Sequence, residues 1–400
     1  MFPVPAARPD GRRPVSLSPS ATSFVARASR RLARLARTLD ETPGLLPRSL
    51  RSGSLDLVPP DDWTSGFFPG SLWLLHELSG VSETAAAARR FTDRLATVPG
   101  MKHTHDLGFM VGCSYGHAWR LQGAESDAAA LVEAAESLAD RFDPRLGLIR
   151  SWDFGEWRFP VIIDNMMNLE LLFLAAALAG DARFVEYARA HADRTACTHF
   201  REDGSCFHLV DFDPERDCVL RRQTVQGHAD DSAWARGQAW AIHGYTTVFR
   251  CTREKAYLET ARAAARFYLE HPRSPADRVP PWDFDAPAEP PPPRDSSAAA
   301  VCASALLELS TFVPAAEGRV YRAFAESTLD ALLEPPYFAD DDEADGGFLL
   351  RHAVGHLPAG QEIDVPLCYG DFYLLEAVGR RIRLEAGLPP ATLVSASPIR

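Results

Sequence analysis

Two aspartates stand where a carboxyl is costly. Asp164 lies in VIIDNMMNLELLF (161–173), behind Val161, Ile162 and Ile163 and ahead of a long apolar run. Burial in such company raises a carboxyl's pKa and makes it available as a proton donor near neutrality. Asp is also a favoured helix N-cap, although Met167 stands where a capping box would carry Glu or Gln. Asp106, in HTHDLGFM, presents the same choice between capping and chemistry, with His105 beside it and Gly108 permitting close backbone approach. Two carboxyls on one site are the usual equipment for cleaving a glycosidic bond.

A third stretch supplies recognition. In QGHADDSAWARGQAWAIHG (226–244), Trp234, Arg236 and Trp240 begin a helix, and Arg236 and Trp240, four apart, share a face. The plain reading is core aromatics with a structural arginine. Two tryptophans beside an arginine also form a sugar platform with an anion clamp. Gln226 and His208 add polar recognition, and Trp63, Phe68, Trp152 and Trp157 extend the aromatic surface. A sugar acid suits such a site. No spacing of His, Cys, Asp and Glu resembles a metal site, so neither metal nor other cofactor is expected.

These residues need helices to hold them. Amphipathic periodicity begins with TSFVARASRRLARLARTL (22–39) and recurs at 83–97, 126–140, 181–196, 254–270 and 316–333. Between these lie segments that are apolar nearly all round and rich in small residues: 65–78, 105–119, 164–178, 231–248, 295–309 and 364–378. Such segments are buried on most sides and must be covered by the amphipathic ones. Six outer helices alternating with six inner ones predict an all-α fold, an (α/α)6 barrel of six helical hairpins. The expected organisation is an N-terminal arm over 1–20 and one barrel domain over 21–390. Long connections at 141–163, 197–230, 272–294 and 334–363 all lead into the starts of inner segments, so they gather on one face. Helix N-termini on that face favour an anion. Within the last connection, ADDDEAD (339–345) reads as a solvated acidic loop.

Composition narrows the partners. The 400-residue chain is 46% hydrophobic and 24% charged, as globular proteins are, and its net charge of −12 argues against nucleic acid. The seven cysteines are odd in number, scattered and without a C-x-x-C pair, which fits reduced thiols rather than a disulfide framework. No uncharged apolar stretch is long enough for a membrane, and the N-terminus lacks an apolar signal core, so a cytoplasmic setting is expected. The sequence sets no oligomeric state.

WTSGFFPGSLW, HDLGFM, IRSWD followed by IIDNMMNLELLF, QGHADDSAWARGQAW, VPPWDFDAP, RDSSAAA and YGDFYLLEA occur in order between about residues 60 and 380. Together they resemble the unsaturated glucuronyl hydrolases, glycoside hydrolase family 88. That resemblance implies the (α/α)6 barrel and an unusual hydrolysis of an unsaturated uronyl di- or oligosaccharide. Polysaccharide lyases leave a 4,5-unsaturated uronic acid at the non-reducing end; an Asp protonates C4, water adds at C5, and the resulting hemiketal opens and releases the sugar. The acid/base Asp falls on Asp164 and the second essential Asp on Asp106, preceded by His105. His208, Gln226, Trp234, Arg236 and Trp240 fall on residues placing the uronate and the ring. Asp106 orients either the water or the ring.

The pattern departs from some members at Val225, where they carry a histidine; here His228 follows the glycine. In the loop over 350–366, tied to selectivity for sulfated sugars, Arg351, His352 and His356 are the candidate anion contacts. The rival readings are an unsaturated rhamnogalacturonyl hydrolase on pectin fragments, a sugar epimerase, and a non-catalytic carbohydrate-binding barrel. The epimerase needs converging His pairs that the sequence does not offer, and retention of both aspartates opposes the binding barrel.

Overall fold

A computed structural model describes residues 17–339 and 345–394. The expected arm falls largely on residues outside these. The first helix, α1 (Pro19–Asp40), starts at Ser18, whose hydroxyl accepts the Ala21 N–H at 3.2 Å. A proline in the first turn costs nothing there, because its missing N–H would have been an orphan.

Among the described residues, the other helices fall close to the periodic segments. They are α2 (Phe67–Ser79), α3 (Ser82–Asp93), α4 (His117–Gln122), α5 (Glu125–Ala139), α6 (Asn165–Ala179) and α7 (Arg183–His199). The second half supplies α8 (Ala235–Thr252), α9 (Lys255–Glu270), α10 (Ser296–Leu309), α11 (Ala315–Leu332) and α12 (Cys368–Glu385). The inner segment expected at 105–119 is mostly a π-helix, Gly108–Gly116, which runs directly into α4. Its glycines allow unusually close packing: a Cβ on Gly108 would stand 2.6 Å from the Cα of Asn168.

The packing follows from apolarity. Every residue of α10 is buried, and every residue of α8 except its last. The contacts of the inner helices run in a closed cycle: α2 touches the π-helix, then follow α6, α8, α10 and α12, which returns to α2. The outer helices α3, α7, α9 and α11 each pack against the inner helix that precedes them. Near the C-terminal ends of the inner helices, buried ion pairs cross the ring. Glu308 joins Arg250 and, at 2.9 Å, Arg380.

The long connections carry short strands that periodicity did not reveal. They are β1 (Leu46–Arg51), β2 (Ser54–Val58), β3 (Phe142–Asp143), β4 (Leu148–Ile149), β5 (Pro160–Ile162), β6 (Leu209–Asp213), β7 (Cys218–Gln223), β8 (Ala353–His356) and β9 (Gln361–Val365). Several are only two or three residues long, too short to leave an alternating signature, and β6 is buried along its whole length. The sheet β5–β6–β7 joins the connection before α6 to the one before α8, pairing Val161 with Val210 and Ile162 with Leu209.

The acidic loop is corrected at its end. Asp345 is buried and paired with Arg351 and, at 3.6 Å, with Arg31. The rest of that loop, 340–344, lies outside the described residues. Cys197 and Cys218 are exposed and the other five cysteines are buried thiols. No helix among the described residues is long and apolar enough to cross a membrane.

Candidate active site

Strand register builds the first half of the site. The antiparallel ladder β5–β6 continues one step, with the Ile163 N–H donating to the His208 carbonyl at 2.9 Å. That bond brings His208 beside Asp164, and His208 Nε2 stands 3.7 Å from Asp164 Oδ2. On its other side, His208 Nδ1 accepts the Gln226 backbone N–H at 3.3 Å. A neutral imidazole whose Nδ1 accepts carries its proton on Nε2. Burial, with His356 and Arg236 nearby, holds His208 well below its ordinary pKa, so it is neutral and aims Nε2–H at Asp164.

Asp164 sits at the N-cap of α6, yet its side chain makes no capping bond. Its Oδ2 is buried without a hydrogen-bond partner. The capping half of the sequence reading is therefore corrected: the residue has helical backbone angles, φ −59° and ψ −27°, rather than the extended ones of a working cap. Burial lifts its carboxyl to about 7. Arg236 opposes that rise and Asp106 adds to it; the Trp240 indole N–H lowers it slightly without completing a hydrogen bond.

The second half comes from the segment leading into the π-helix. His105 Nδ1 lies 2.7 Å from the Ser151 carbonyl, which can only accept, so Nδ1 carries the proton. His105 Nε2 faces Asp106 Oδ1 at 3.2 Å, and Thr104 Oγ donates to Asp106 Oδ2 at 3.1 Å. Burial pushes His105 down to about 3 and Asp106 up to about 7. The side chains of Asp164 and Asp106 retain 11% and 15% exposure, which leaves each an edge reachable from outside.

The aromatic residues sort into wall and core. Trp63 packs against Phe67, Phe109 and Tyr369 at 5.9, 5.7 and 5.1 Å between ring centroids. Trp240 packs against Phe109 and Tyr373, and Trp234 lies 4.9 Å from His208. Trp152 is 6.4 Å from His105 and stacks with Phe154. Phe68 is not brought to this group: it is buried against Phe91 of α3, 4.9 Å away. Its neighbour Phe67 takes the inward position, and the run of two phenylalanines concealed which one faces which way.

Arg236 is fully buried and heavily engaged. Its guanidinium meets Asp295 at 3.0 Å, the Gly355 carbonyl at 2.7 Å, Gln226 Oε1 at 3.4 Å and the Val354 carbonyl. It therefore straps β8 to the start of α10 while facing Asp164. Of the loop candidates, Arg351 pairs with Asp345 and His352 with Asp364 at 2.6 Å. His356 accepts the Ala359 N–H at Nδ1 and is electrostatically coupled to His208 and Arg236.

The unpartnered buried polar atoms include His105 Nε2, Trp152 Nε1, Asp164 Oδ2, His208 Nε2, Trp234 Nε1, Arg236 Nε and Trp240 Nε1. Buried polar groups are normally paired, so their recurrence among the predicted site residues points to a polar ligand. A raised carboxyl pKa alone would not select them. Asp371 is also lifted to about 7 by burial, but its two oxygens accept the Leu349 and Leu350 N–H groups at 2.8 and 2.9 Å. Sequence reasoning missed Ser151, Asn165 and Asn168. Ser151 Oγ bridges the Ile162 N–H and Asn165 Oδ1, both at 2.9 Å. Amides inside an apolar helix start demand partners, and that was the available signal.

A scan against protein-family models finds no match. The chain is 44% identical over 335 residues to the unsaturated glucuronyl hydrolase of Formosa agariphila, covering 82% of each chain. It is 36% identical to that of Bacillus sp. strain GL1, covering 82% of this chain and 87% of the other. The fold matches the crystal structure of an unsaturated glucuronyl hydrolase specific for heparin with a TM-score of 0.89 and 46% identity, covering 92% of this chain and 98% of that one. With identity of this order over most of both chains, the protein belongs to the unsaturated glucuronyl hydrolases.

Proposed function

We propose that the protein releases the 4,5-unsaturated uronic acid from the non-reducing end of lyase-generated glycosaminoglycan fragments, with Asp164 as proton donor. The observation that carries this is the Asp164 carboxyl, neutral up to about pH 7, unpartnered at Oδ2 and edged by the neutral His208. Protonating an enol ether carbon needs a neutral acid held close to it, which an apolar wall provides. Asp164 gives its proton to C4 and a water hydroxyl adds at C5. The proton the water gives up restores the acid, and the hemiketal then opens to release the sugar. His208 Nε2–H is placed to receive the carboxylate as it forms. Asp106, tied to His105, orients the water or the ring at the same opening.

Trp63, Trp152, Trp234 and Trp240 form the sugar-facing wall in this reading, with Gln226 and Arg236 on the uronate side. The closed cycle of inner helices, covered by outer ones, supports an (α/α)6 barrel in one domain over 21–390. Similarity to a heparin-specific enzyme puts unsaturated heparin disaccharides first among the substrates. The test is the ultraviolet absorbance of the double bond in a panel of unsaturated disaccharides, with Asp164→Asn as control. Loss of absorbance with the wild type and not with the variant supports the reading. Turnover confined to unsaturated galacturonyl-rhamnose would replace it with the pectin reaction, and binding without turnover with a carbohydrate-binding barrel.

A further inference from the structure

The two aspartates come from different helices, so something must set the distance between them. Asp106 precedes the π-helix by two residues, and Asp164 immediately precedes α6. Asn168 lies one turn into α6 and is 1% exposed. Its Oδ1 accepts the Phe109 backbone N–H at 3.0 Å. That N–H belongs to the first turn of the π-helix, where backbone donors lack partners within the helix. The same amide's Nδ2 donates to the Asp164 carbonyl at 3.4 Å.

The contact is tight as well as polar. A Cβ added to Gly108 would meet Asn168 Cα at 2.6 Å and Oδ1 at 2.7 Å, so the two backbones meet where a side chain would hold them apart. Phe109, held by this bond, packs its ring on Trp240 at 5.3 Å and on Trp63 at 5.7 Å. One side chain thus joins the backbone at Asp164, the segment carrying Asp106, and the aromatic wall.

We infer that Asn168 is a positioning residue, the spacer that fixes Asp106 relative to Asp164, with Gly108 as the backbone notch that admits it. The inference rests on the proposed roles of the two aspartates. Its consequence is electrostatic. The charged and titratable groups around Asp164 are Asp106 from the π-helix segment, His208 and Cys206 from the connection before β6, and Arg236 from α8. Burial raises the Asp164 pKa most, Arg236 lowers it and Asp106 adds to the rise. Loosening the spacer lets Asp106 recede and leaves Arg236 in place, so the Asp164 pKa falls.

The experiment is a substrate-free titration of aspartate carboxyl carbons by NMR in the full-length protein, with Asp164 identified by its loss in Asp164→Asn. Asn168→Ala and, independently, Gly108→Ala are expected to move the Asp164 midpoint to lower pH. Where the wild type turns over an unsaturated disaccharide, both variants are expected to lose up to about 10²-fold in kcat, with KM within about twofold. A purely structural role would lower Tm and leave the midpoint alone. An unmoved midpoint in both folded variants overturns the inference. Absence of turnover by the wild type would strike the proposed reaction and leave the titration to decide the spacer on its own.

Discussion

His105 Nε2 and Asp106 Oδ1 stand 3.2 Å apart without forming a hydrogen bond. The Ser151 carbonyl holds His105 Nδ1 at 2.7 Å and fixes the histidine proton there, so Nε2 offers a lone pair. With His105 pushed down to about 3 and Asp106 up to about 7, the proton resides on Asp106. Asp106 is then a neutral acid beside a neutral histidine below neutrality, and Nε2 is left without a hydrogen-bond partner. Asp106→Asn keeps the size and polarity of the side chain but cannot ionise. Steady-state kinetics are expected to show KM near wild type and kcat lower by about 10²-fold. Equal loss from Asp106→Asn and Asp106→Leu would show that a polar side chain without ionisation contributes nothing.

Asp164→Asn separates chemistry from architecture. The Asp164 carboxyl caps nothing and leaves Oδ2 unpartnered, so the amide removes no hydrogen bond that holds α6. It also removes the cost of keeping an ionisable group in an apolar site. Activity is expected to fall by about 10²–10⁴-fold. Thermal denaturation should place the Tm of the variant at or above that of the wild type. A clear drop in Tm would restore the capping role.

The pH dependence of the rate and that of the Asp164 contribution to stability run in the same direction. The proposed acid must be protonated, so kcat/KM is expected to fall as pH rises through about 7, the value to which burial lifts Asp164. For stability, the folded state holds protons on Asp106, Asp164 and Asp371 up to about pH 7. In the unfolded chain these groups ionise near the ordinary value of about 4. Between these limits these three carboxyls bind more protons in the native state, so their own contribution to stability declines as pH rises from about 4 to about 7. The buried histidines His105, His117, His191, His199 and His208, held below their ordinary value, contribute in the opposite direction. Urea titrations across that window should show the stability of Asp164→Asn rising relative to wild type as pH increases, because the variant lacks this declining contribution.

The sequence was most legible where apolarity has a period. The outer helix expected at 254–270 is observed at Lys255–Glu270, and the inner one at 295–309 is Ser296–Leu309. Asp295 does cap there, with its carboxylate accepting the Ser297 N–H at 3.0 Å, because its backbone is extended. Asp164 looked the same in sequence and differs in two backbone angles that residue type does not determine. The π-helix was hidden because its apolar residues fit an ordinary buried helix equally well. The β5–β6 ladder that joins Asp164 to His208 pairs residues far apart in sequence, and short buried strands carry no alternation. The two aspartates stand out by residue type and surroundings, while the partners the structure gives them depend on long-range register.

Arg236, the proposed uronate contact, is built into the frame. Its partners Asp295, Val354 and Gly355 belong to the start of α10 and to β8, so it fastens that hairpin beside the site. Arg48 fastens the other strand by gripping Glu362 at 2.7 and 3.0 Å. Removing Arg236 leaves the buried Asp295 carboxylate without its cation and held only by the capping donors of Ser297 and Ala298, which costs up to about 3–5 kcal/mol. Lysine cannot reproduce a planar fork that reaches a carboxylate and two carbonyls together, so Arg236→Lys is expected to recover only part of that loss. Chemical denaturation should rank wild type above Arg236→Lys and that above Arg236→Ala. A strap that also faces the uronate predicts a rise in KM for both variants under conditions where each is fully folded. Unchanged KM in folded Arg236→Lys would confine the residue to holding the hairpin, and the uronate would then be read by Gln226 and His356.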